Sequence, residues 1–284
     1  MTLWTWTALD DLDDPRLAVF RALKKQNVNR DGRRFVVEGW KLVERLARSA
    51  HRLETVLVVE DQVELARRLP VEELTILTLP RERLRDLVGF NFHQGVLGCG
   101  IRADAPTLNQ LLAASQGVTA RSGRSVVLVC PALFNPENLG ALIRLGDVMG
   151  AVGLVVGPGC PDPLSRRVTR VSMGASLAFP VVEASNVAAA LDHLAGLGDH
   201  LLAAAVCEPA GPSALKPGAT VVPFDRITWP DRVALLLGSE AHGLEPCWVQ
   251  RADQLTTIVM RPGADSLNLA VATGILLYHL TRPN

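Results

Sequence analysis

SVVLVCPALFNPENLGALIRLGDVMGAVGLVV, residues 125–156, is the stretch that decides the fold. Ser125–Cys130 is an apolar and largely β-branched run, which predicts a buried strand. Asn138–Met149 has the periodicity of a helix, and Gly153–Val156 predicts a second buried strand. Near-continuous apolar strands joined by a helix indicate an α/β fold whose parallel sheet is covered on both faces.

The rest of the chain divides around this stretch into two α/β regions. Downstream, the alternation of strands and helices continues to a final helix at Ser266–Leu280. Upstream, shorter alternating elements between residues 16 and 102 predict a compact α/β sandwich. Residues 103–124 contain proline and glycine around one possible short helix, which is typical of a linker. We therefore expect an N-terminal tail at 1–15, a first domain at 16–102, a linker at 103–124 and a second domain at 125–284.

The charges of the chain are unevenly distributed. The 284 residues carry 29 basic and 29 acidic side chains, but between Arg16 and Arg52 eleven are basic and three are acidic. A basic block of this kind is typical of a module that binds a polyanion, although a solvated helix face would also account for it. The candidate polyanion contacts, in the densest part of the block, are Lys24, Lys25, Arg30, Arg33 and Arg34.

Several classes of protein are disfavoured by what the sequence lacks. No apolar stretch approaches the roughly 20 residues of a membrane helix, and no secretory signal is visible at the N-terminus, so we expect a cytoplasmic protein. The five cysteines form no CxxC pair, which argues against a zinc ribbon and a disulfide framework, and we expect no bound metal. The sequence contains no GxxxxGKS, GxxxxGKT or GxGxxG, which argues against a P-loop nucleotidase and a nicotinamide-dependent oxidoreductase.

Three polar loops follow predicted strands and are the candidate functional segments, because ligands of parallel sheets bind beyond the carboxyl ends of strands. They are Pro131–Arg144, Leu237–Leu244 and Ile258–Leu269. In the first loop, Asn138 is placed to cap the following helix, and in the third, Ser266 or Asp265 is placed to cap the last helix. From the residues alone, helix capping and ligand binding both remain open as interpretations of each loop.

Taken together, NPENLGALIR (135–144), LGSEAHGL (237–244) and MRPGADSLNL (260–269) resemble, in order and spacing, the three motifs of the SpoU (TrmH-type) RNA ribose methyltransferases. Upstream, GRRFVVEGWKLVERL (32–46) and HQGVLGCGI (93–101) are similar to the family's N-terminal L30e-like RNA-binding domain. The resemblance implies a C-terminal SPOUT α/β domain with a deep trefoil knot that holds S-adenosyl-L-methionine. It also implies a homodimer with active sites at the subunit interface, which methylates a ribose 2′-oxygen of RNA without a metal.

The resemblance also implies roles for individual residues. Arg144 matches an arginine thought to help deprotonate the 2′-hydroxyl; because a guanidinium stays protonated, we expect it to orient the substrate and stabilise the developing oxyanion. The other polar matches are Asn138, Glu240, Ser266 and Asn268, and the matches to cofactor-contacting positions are Gly238, Ile258 and Leu267. A bulky residue at Gly238 is then expected to block the pocket and to leave the fold intact.

The chain departs from the family pattern at Ser239, where asparagine is also common, at His279, where glutamate is frequent, and at two further positions. Val259 stands where proline is usual, and Leu145 stands where threonine is frequent. Both departures concern the shape of the cofactor loop and the substrate preference, because neither removes a matched polar residue. For the dimer, the final helix offers an apolar stripe of residues at helical spacing: Leu267, Ala270, Val271, Gly274, Ile275 and Tyr278.

The sequence leaves the substrate RNA open. Ribosomal RNA is the first expectation, because the added N-terminal domain resembles that of family members which act on it, and transfer RNA is the second. A non-catalytic RNA-binding scaffold is the alternative from another class. Arg144, Glu240 and Asn268 are all retained, which favours an enzyme over that scaffold.

Overall fold

The computed structural model of the chain describes residues 3–21, 23, 33–89, 92–114, 123–205, 219–228, 230–239, 242–261 and 266–282. The chain divides into two compact units, each with its own sheet. The first unit comprises Met1–Asp104 and Asp162–Ala178, and the second comprises Ala105–Pro161 and Phe179–Asn284. Helices and strands alternate in both units, which confirms the predicted α/β class.

The first unit is built on a mixed sheet. Its described strands are β1 (Leu3–Ala8), β2 (Arg34–Glu38), β3 (Arg52–Val59), β4 (Glu73–Leu79) and β5 (Val96–Ile101), and its helices from the N-terminal part are α1 (Trp40–Ala47), α2 (Val63–Ala66) and α3 (Arg81–Val88). The strand order is β1-β4-β3-β5-β2, with β3 and β1 parallel to β4 and with β5 antiparallel to its two neighbours. Separate apolar cores cover the two faces of the sheet, which is why its central strands are buried.

The expected N-terminal tail is in fact part of this sheet. Leu3–Ala8 forms an edge strand that pairs with β4 from Leu3 opposite Glu73 to Ala8 opposite Thr78. Trp4 packs against the apolar core and donates its indole N–H to the carbonyl of Val71 at 3.3 Å. The alternation of tryptophan and threonine in LWTWTA is the β-type pattern that could have revealed the strand.

The second unit is built on a parallel sheet. The described strands are β6 (Ser125–Cys130), β7 (Gly153–Val156), β8 (Val181–Glu183), β9 (His200–Ala205), β10 (Thr220–Pro223), β11 (Arg232–Leu236) and β12 (Gln254–Thr257). The described helices of this unit are α4 (Leu108–Ala114), α5 (Pro136–Met149), α7 (Val187–Gly196), α8 (Pro246–Val249) and α9 (Leu269–Thr281), and α6 (Arg166–Val171) belongs to the first unit. The order β10-β12-β9-β11-β6-β7-β8 is parallel at every pairing, as the apolar strands predict.

The expected linker contains a helix that belongs to the second unit. The helix α4 agrees with the possible short helix in the sequence, but its residues Leu111 and Leu112 are buried in the core with Val127 and Val155. Leu111 occupies the space beside Gly153, where an added Cβ would lie 2.4 Å from the Leu111 side chain. A segment that fills a core in this way is structural, not a free connection.

Residues 162–178 also differ from the expectation, because they group with the first unit and not with the second. The sequence predicts one helix over Pro163–Ser176, whereas the structure has the short helix α6 and a 3₁₀ turn at Ala175–Leu177. Leu164 and Leu177 are buried in the core of the first unit. The apolar residues of this segment could be buried in the core of either unit, so the sequence alone could not assign the segment to one of them.

Candidate active site

A pocket lies at the carboxyl ends of three neighbouring strands of the second unit. Its wall contains Ala204 of β9, the segment after β11, the segment after β12, and the start of α9. The residues of these segments are Leu237, Gly238, Ser239 and Gly243 after β11, Thr256, Ile258 and Met260 around the end of β12, and Ser266, Leu267, Leu269, Ala272 and Leu276 at α9. The pocket thus brings together four predicted site residues, namely Gly238, Ile258, Ser266 and Leu267.

The loop after β11 is folded back tightly on itself. Ser239 and Gly243 exchange two backbone hydrogen bonds, of 3.0 and 2.8 Å, and the Ser239 hydroxyl accepts the N–H of His242 at 3.3 Å. A Cβ added at Gly238 would lie 2.1 Å from the carbonyl carbon of Gly243. The loop itself therefore favours glycine at this position, and we expect a bulky residue at Gly238 to disturb the loop as well as to block the pocket. Glu240 lies outside the described residues.

Thr256 supplies a polar group to an otherwise apolar part of the pocket wall. Its side chain is 1% exposed, and its Oγ1 has no hydrogen-bond partner among the described residues. A buried hydroxyl without a partner costs about 1–3 kcal/mol, so a ligand that reaches Oγ1 gains a hydrogen bond. Sequence reasoning missed Thr256 because a threonine in a β-branched strand has an ordinary structural explanation.

The start of α9 differs from its predicted capping. Asn268 is the N-cap residue, and its side-chain oxygen accepts the N–H groups of Ala270 at 2.9 Å and Val271 at 3.3 Å. The helix therefore begins after Asn268, and Ser266 does not cap it but is exposed at the pocket; Asp265 lies outside the described residues. Asn268 holds the helix end that forms one pocket wall.

The start of α5 also differs from its predicted capping. Asn135, not Asn138, is the N-cap residue, and it accepts the N–H of Glu137 at 2.8 Å. Pro136 occupies the first helical position, where a missing N–H costs nothing. Asn138 lies in the first turn and is buried, and its Nδ2 has no hydrogen-bond partner within the described chain.

Arg144 lies on the exposed face of α5 and is not part of the pocket wall. Its guanidinium makes no hydrogen bond or ion pair to any residue that the structure describes. A single copy of the chain therefore does not bring Arg144 or Asn138 into the pocket with Gly238, Ile258 and Leu267.

Of the predicted polyanion contacts, the structure describes Arg33 and Arg34, whereas Lys24, Lys25 and Arg30 lie outside the described residues. Arg34 donates two hydrogen bonds to the carboxylate of Glu54, at 2.7 and 2.8 Å. This pairing raises the pKa of Arg34 and lowers the pKa of Glu54. The side chain of Arg33 is 77% exposed and approaches Asp104 at 3.4 Å. Arg33 thus presents its charge to solvent, whereas the charge of Arg34 is largely balanced by Glu54.

Within the described ranges, histidine, cysteine and acidic side chains nowhere form a group of three that could hold a metal ion. Among the helices that the structure describes, none has both the length and the apolar character needed to cross a membrane.

Comparison with known proteins gives a consistent family. Residues 125–278 match the model of the SpoU rRNA Methylase family. An uncharacterized tRNA/rRNA methyltransferase of Mycobacterium tuberculosis is 31% identical over 281 residues, which cover 96% of this chain and 90% of that protein. A 23S rRNA (guanosine-2′-O-)-methyltransferase of Ralstonia nicotianae is 27% identical over 201 residues, or 71% of this chain and 74% of the relative. The crystal structure of an AdoMet-bound rRNA methyltransferase from Sinorhizobium meliloti is 26% identical, with a TM-score of 0.77 and 97% of each chain covered. This chain belongs to the SpoU rRNA methylase family.

Proposed function

We propose that this chain transfers the methyl group of S-adenosyl-L-methionine to a ribose 2′-oxygen of RNA. The observation that carries the proposal is the pocket itself, because it unites Gly238, Ile258, Ser266 and Leu267 from two separate sequence motifs. Ribosomal RNA is the first substrate class, in keeping with the family and the Ralstonia relative, and transfer RNA is the second. Both substrates occur in the cytoplasm, where we propose that the protein acts.

The pocket residues fit a nucleoside-bearing cofactor. Leu237, Ile258 and Leu276 provide apolar surface for a base, and the unpaired hydroxyl of Thr256 provides a buried hydrogen-bonding group. These residues, with the backbone around Gly238, would hold S-adenosyl-L-methionine. When bound, the cofactor supplies a methyl group on a positively charged sulfur.

The remaining chemistry concerns the ribose hydroxyl, which has to lose its proton as the new bond to carbon forms. Arg144 is a fixed cation, so its role is to orient the ribose and its phosphate and to stabilise the charge that develops on the oxygen. Precise alignment of the oxygen with the methyl group supplies a further part of the rate. Glu240, Ser266 and Asn268 remain the other polar candidates, with Asn268 acting through the helix start that it caps.

We propose that a homodimer completes the active site. The exposed apolar residues Val148 on α5 (70% exposed) and Val271 and Tyr278 on α9 (51% and 58%) lie on helices that pack together, with Leu145 next to Gly274. Arg144 and Val148 are four residues apart and therefore share one face of α5. A second copy docked on this face would cover the apolar residues and meet Arg144, which supports a site shared between subunits.

The trefoil knot of the family is also part of the proposal. The loops after β11 and β12 lie on either side of β9 in the sheet order and form walls of the same pocket.

In the first unit, we propose an L30e-like RNA-binding role for the basic block. Among the described residues of the block, Arg33 is a highly exposed candidate contact. The further candidates are Lys24, Lys25, Arg30 and Arg34.

The proposed function is tested by titration and by methyl transfer. Isothermal titration should show that S-adenosyl-L-methionine binds and that NAD does not. Tritium from the labelled methyl group should appear in ribosomal RNA at a position that resists alkaline cleavage, because a 2′-O-methyl group blocks it. Cofactor binding without transfer to ribosomal or transfer RNA would instead support the non-catalytic scaffold.

A further inference from the structure

The segment 162–178 is fixed to the first unit beside α1. Arg45 of α1 donates a hydrogen bond from Nη1 to the carbonyl of Met173 at 2.7 Å. Arg166 of α6 donates one from Nη1 to the carboxylate of Glu38, at the end of β2, at 2.8 Å. Gly174 lies so close to α1 that an added Cβ would be 2.7 Å from the side chain of Leu42. Polar bonds and close packing thus place the turn after α6 against α1, and α6 itself against the end of β2, which leads into α1.

This juxtaposition gathers cations from two distant parts of the sequence. Lys41 and Arg45 on α1 and Arg48 at its C-cap are exposed and are spaced by four and three residues, so they lie along one side of the helix. On α6, Arg167 and Arg170 are exposed and three residues apart. These five residues are called the α1–α6 surface below.

Few acidic groups oppose these charges. Along α1 and α6, which are fully described, Glu44 is the one exposed carboxylate. The carboxylate of Glu38 is nearly buried and is already paired with Arg166, whereas Arg170 lies farther from it at 3.7 Å and is half exposed. Even without Arg167, which has a contact of its own, Lys41, Arg45 and Arg48 outnumber Glu44, so the α1–α6 surface keeps an excess of positive charge.

We propose that the α1–α6 surface binds the phosphate backbone of the substrate RNA, outside the methyl-transfer pocket. The inference rests on the proposed function, since it takes RNA as the substrate. Arginine suits this role because its planar guanidinium donates paired hydrogen bonds to phosphate oxygens. The sequence places 162–178 in the second, methyl-transferring domain, whereas the structure groups this segment with the first unit.

The test compares three double variants of the full-length chain. Arg167→Gln with Arg170→Gln removes the two exposed charges of α6 and leaves Arg166, and Lys41→Gln with Arg48→Gln removes one charge from α1 and one from its C-cap. Arg68→Gln with Arg85→Gln is the matched control, because both arginines are exposed on the first unit and their side chains make no hydrogen bond to the described chain. The probe is a short fluorescein-labelled RNA hairpin of arbitrary sequence, since phosphate contacts do not depend on sequence.

Each surface variant should weaken binding to the hairpin about tenfold at roughly 0.15 M salt and should lower the slope of log affinity against log salt by about one to two. The control should bind as the parent does. Affinity for S-adenosyl-L-methionine, measured by titration, should be the same in all variants. Failure of the parent to bind this cofactor would count against the proposed function and not against the RNA surface.

The α6 arm decides the inference. Hairpin binding equal to that of the parent in the Arg167/Arg170 variant, or an equal loss in the control, would overturn it. Selective loss of binding to vesicles of anionic lipid, with hairpin binding intact, would overturn it as well. Because Arg170 also approaches Glu38 and Arg167 has a contact of its own, Lys41→Gln alone is the second variant. Lys41 is exposed, so this variant should show about half of the change in salt slope of the α1 double variant with an unchanged melting temperature.

Discussion

Thr256 illustrates how a single buried atom can point to a ligand. Its hydroxyl is enclosed in the pocket wall without a partner among the described residues. Thr256→Val keeps the shape and removes the hydroxyl, so affinity for S-adenosyl-L-methionine should fall about three- to tenfold. The free energy of unfolding of the unliganded protein should stay equal or rise, because an unpaired polar group is removed.

Titration calorimetry and thermal melting of Thr256→Val measure these two effects separately. Thr257→Val is the matched control, since Thr257 is the next residue of β12 and is not part of the pocket wall. Equal cofactor affinity in the parent and in Thr256→Val would show that the hydroxyl does not contact the cofactor.

Arg144 is the residue for which binding and catalysis should separate. Arg144→Ala removes a side chain that is exposed and makes no hydrogen bond to the described chain. Its melting temperature and cofactor affinity should therefore match those of the parent, while methyl transfer falls about 10²- to 10³-fold. Arg144→Lys should recover only a minor part of the rate, because an ammonium lacks the planar pair of donors. Near-normal turnover in a stable Arg144→Ala protein would remove the arginine from the mechanism.

At the scale of elements, the loop after β11 owes its shape to backbone contacts. Gly238→Ala places a Cβ against the backbone of Gly243 and Leu244, so we expect the free energy of unfolding to fall by about 2–3 kcal/mol together with cofactor binding. Ala272→Leu narrows the pocket from α9 instead, and leucine is a good helix former.

Ala272→Leu should lower cofactor affinity about tenfold or more with little change in the melting temperature. Ala270→Leu is on the same helix but outside the pocket wall, and it should leave cofactor affinity unchanged. Chemical denaturation and calorimetry on the three variants distinguish a loop defect from a blocked pocket. A fully stable Gly238→Ala protein would contradict the backbone explanation.

Elements that bury a continuous apolar run were predictable, and elements defined by partners far along the chain were not. Ser125–Cys130 and Gly153–Val156 are strands in the sequence prediction and in the structure, because a short, continuous apolar run is typical of a strand that is buried on both faces of a sheet. The helix starts differed: at α5 and α9, Asn135 and Asn268 hold the caps, and the sequence offers several capping residues within three positions of each. Asn138 and Arg144 could be named from a motif, but their distance from the pocket depends on tertiary packing.

At the scale of the whole molecule, sequence order and spatial units do not coincide. Residues 162–178 are preceded and followed in sequence by β7 and β8 of the second sheet, yet they complete the core of the first unit through Leu164 and Leu177. A division at a single linker therefore could not describe this chain. The proposed RNA contacts and the proposed methyl transfer therefore each map to a surface of the fold and not to one half of the sequence.

The shared active site gives the sharpest test of the dimer. If Arg144 of one subunit serves the pocket of the other, Arg144→Ala and Ala272→Leu should complement each other when mixed. Each mixed dimer then has one site with an intact pocket and an intact arginine, so random exchange of equal amounts should restore about a quarter of the parent's methyl transfer.

With the cofactor kept well below the parent's dissociation constant, Ala272→Leu alone should keep at most about a tenth of the activity and Arg144→Ala alone about a hundredth or less. Tyr278→Asp introduced into both should abolish the recovery, because it places a charge on the exposed apolar face of α9. Light scattering on the same samples reports whether the dimer is present. The contradicting result is a mixture in which subunits exchange between dimers but the rate stays at the average of the two variants measured alone. That result would show that each Arg144 acts within its own chain.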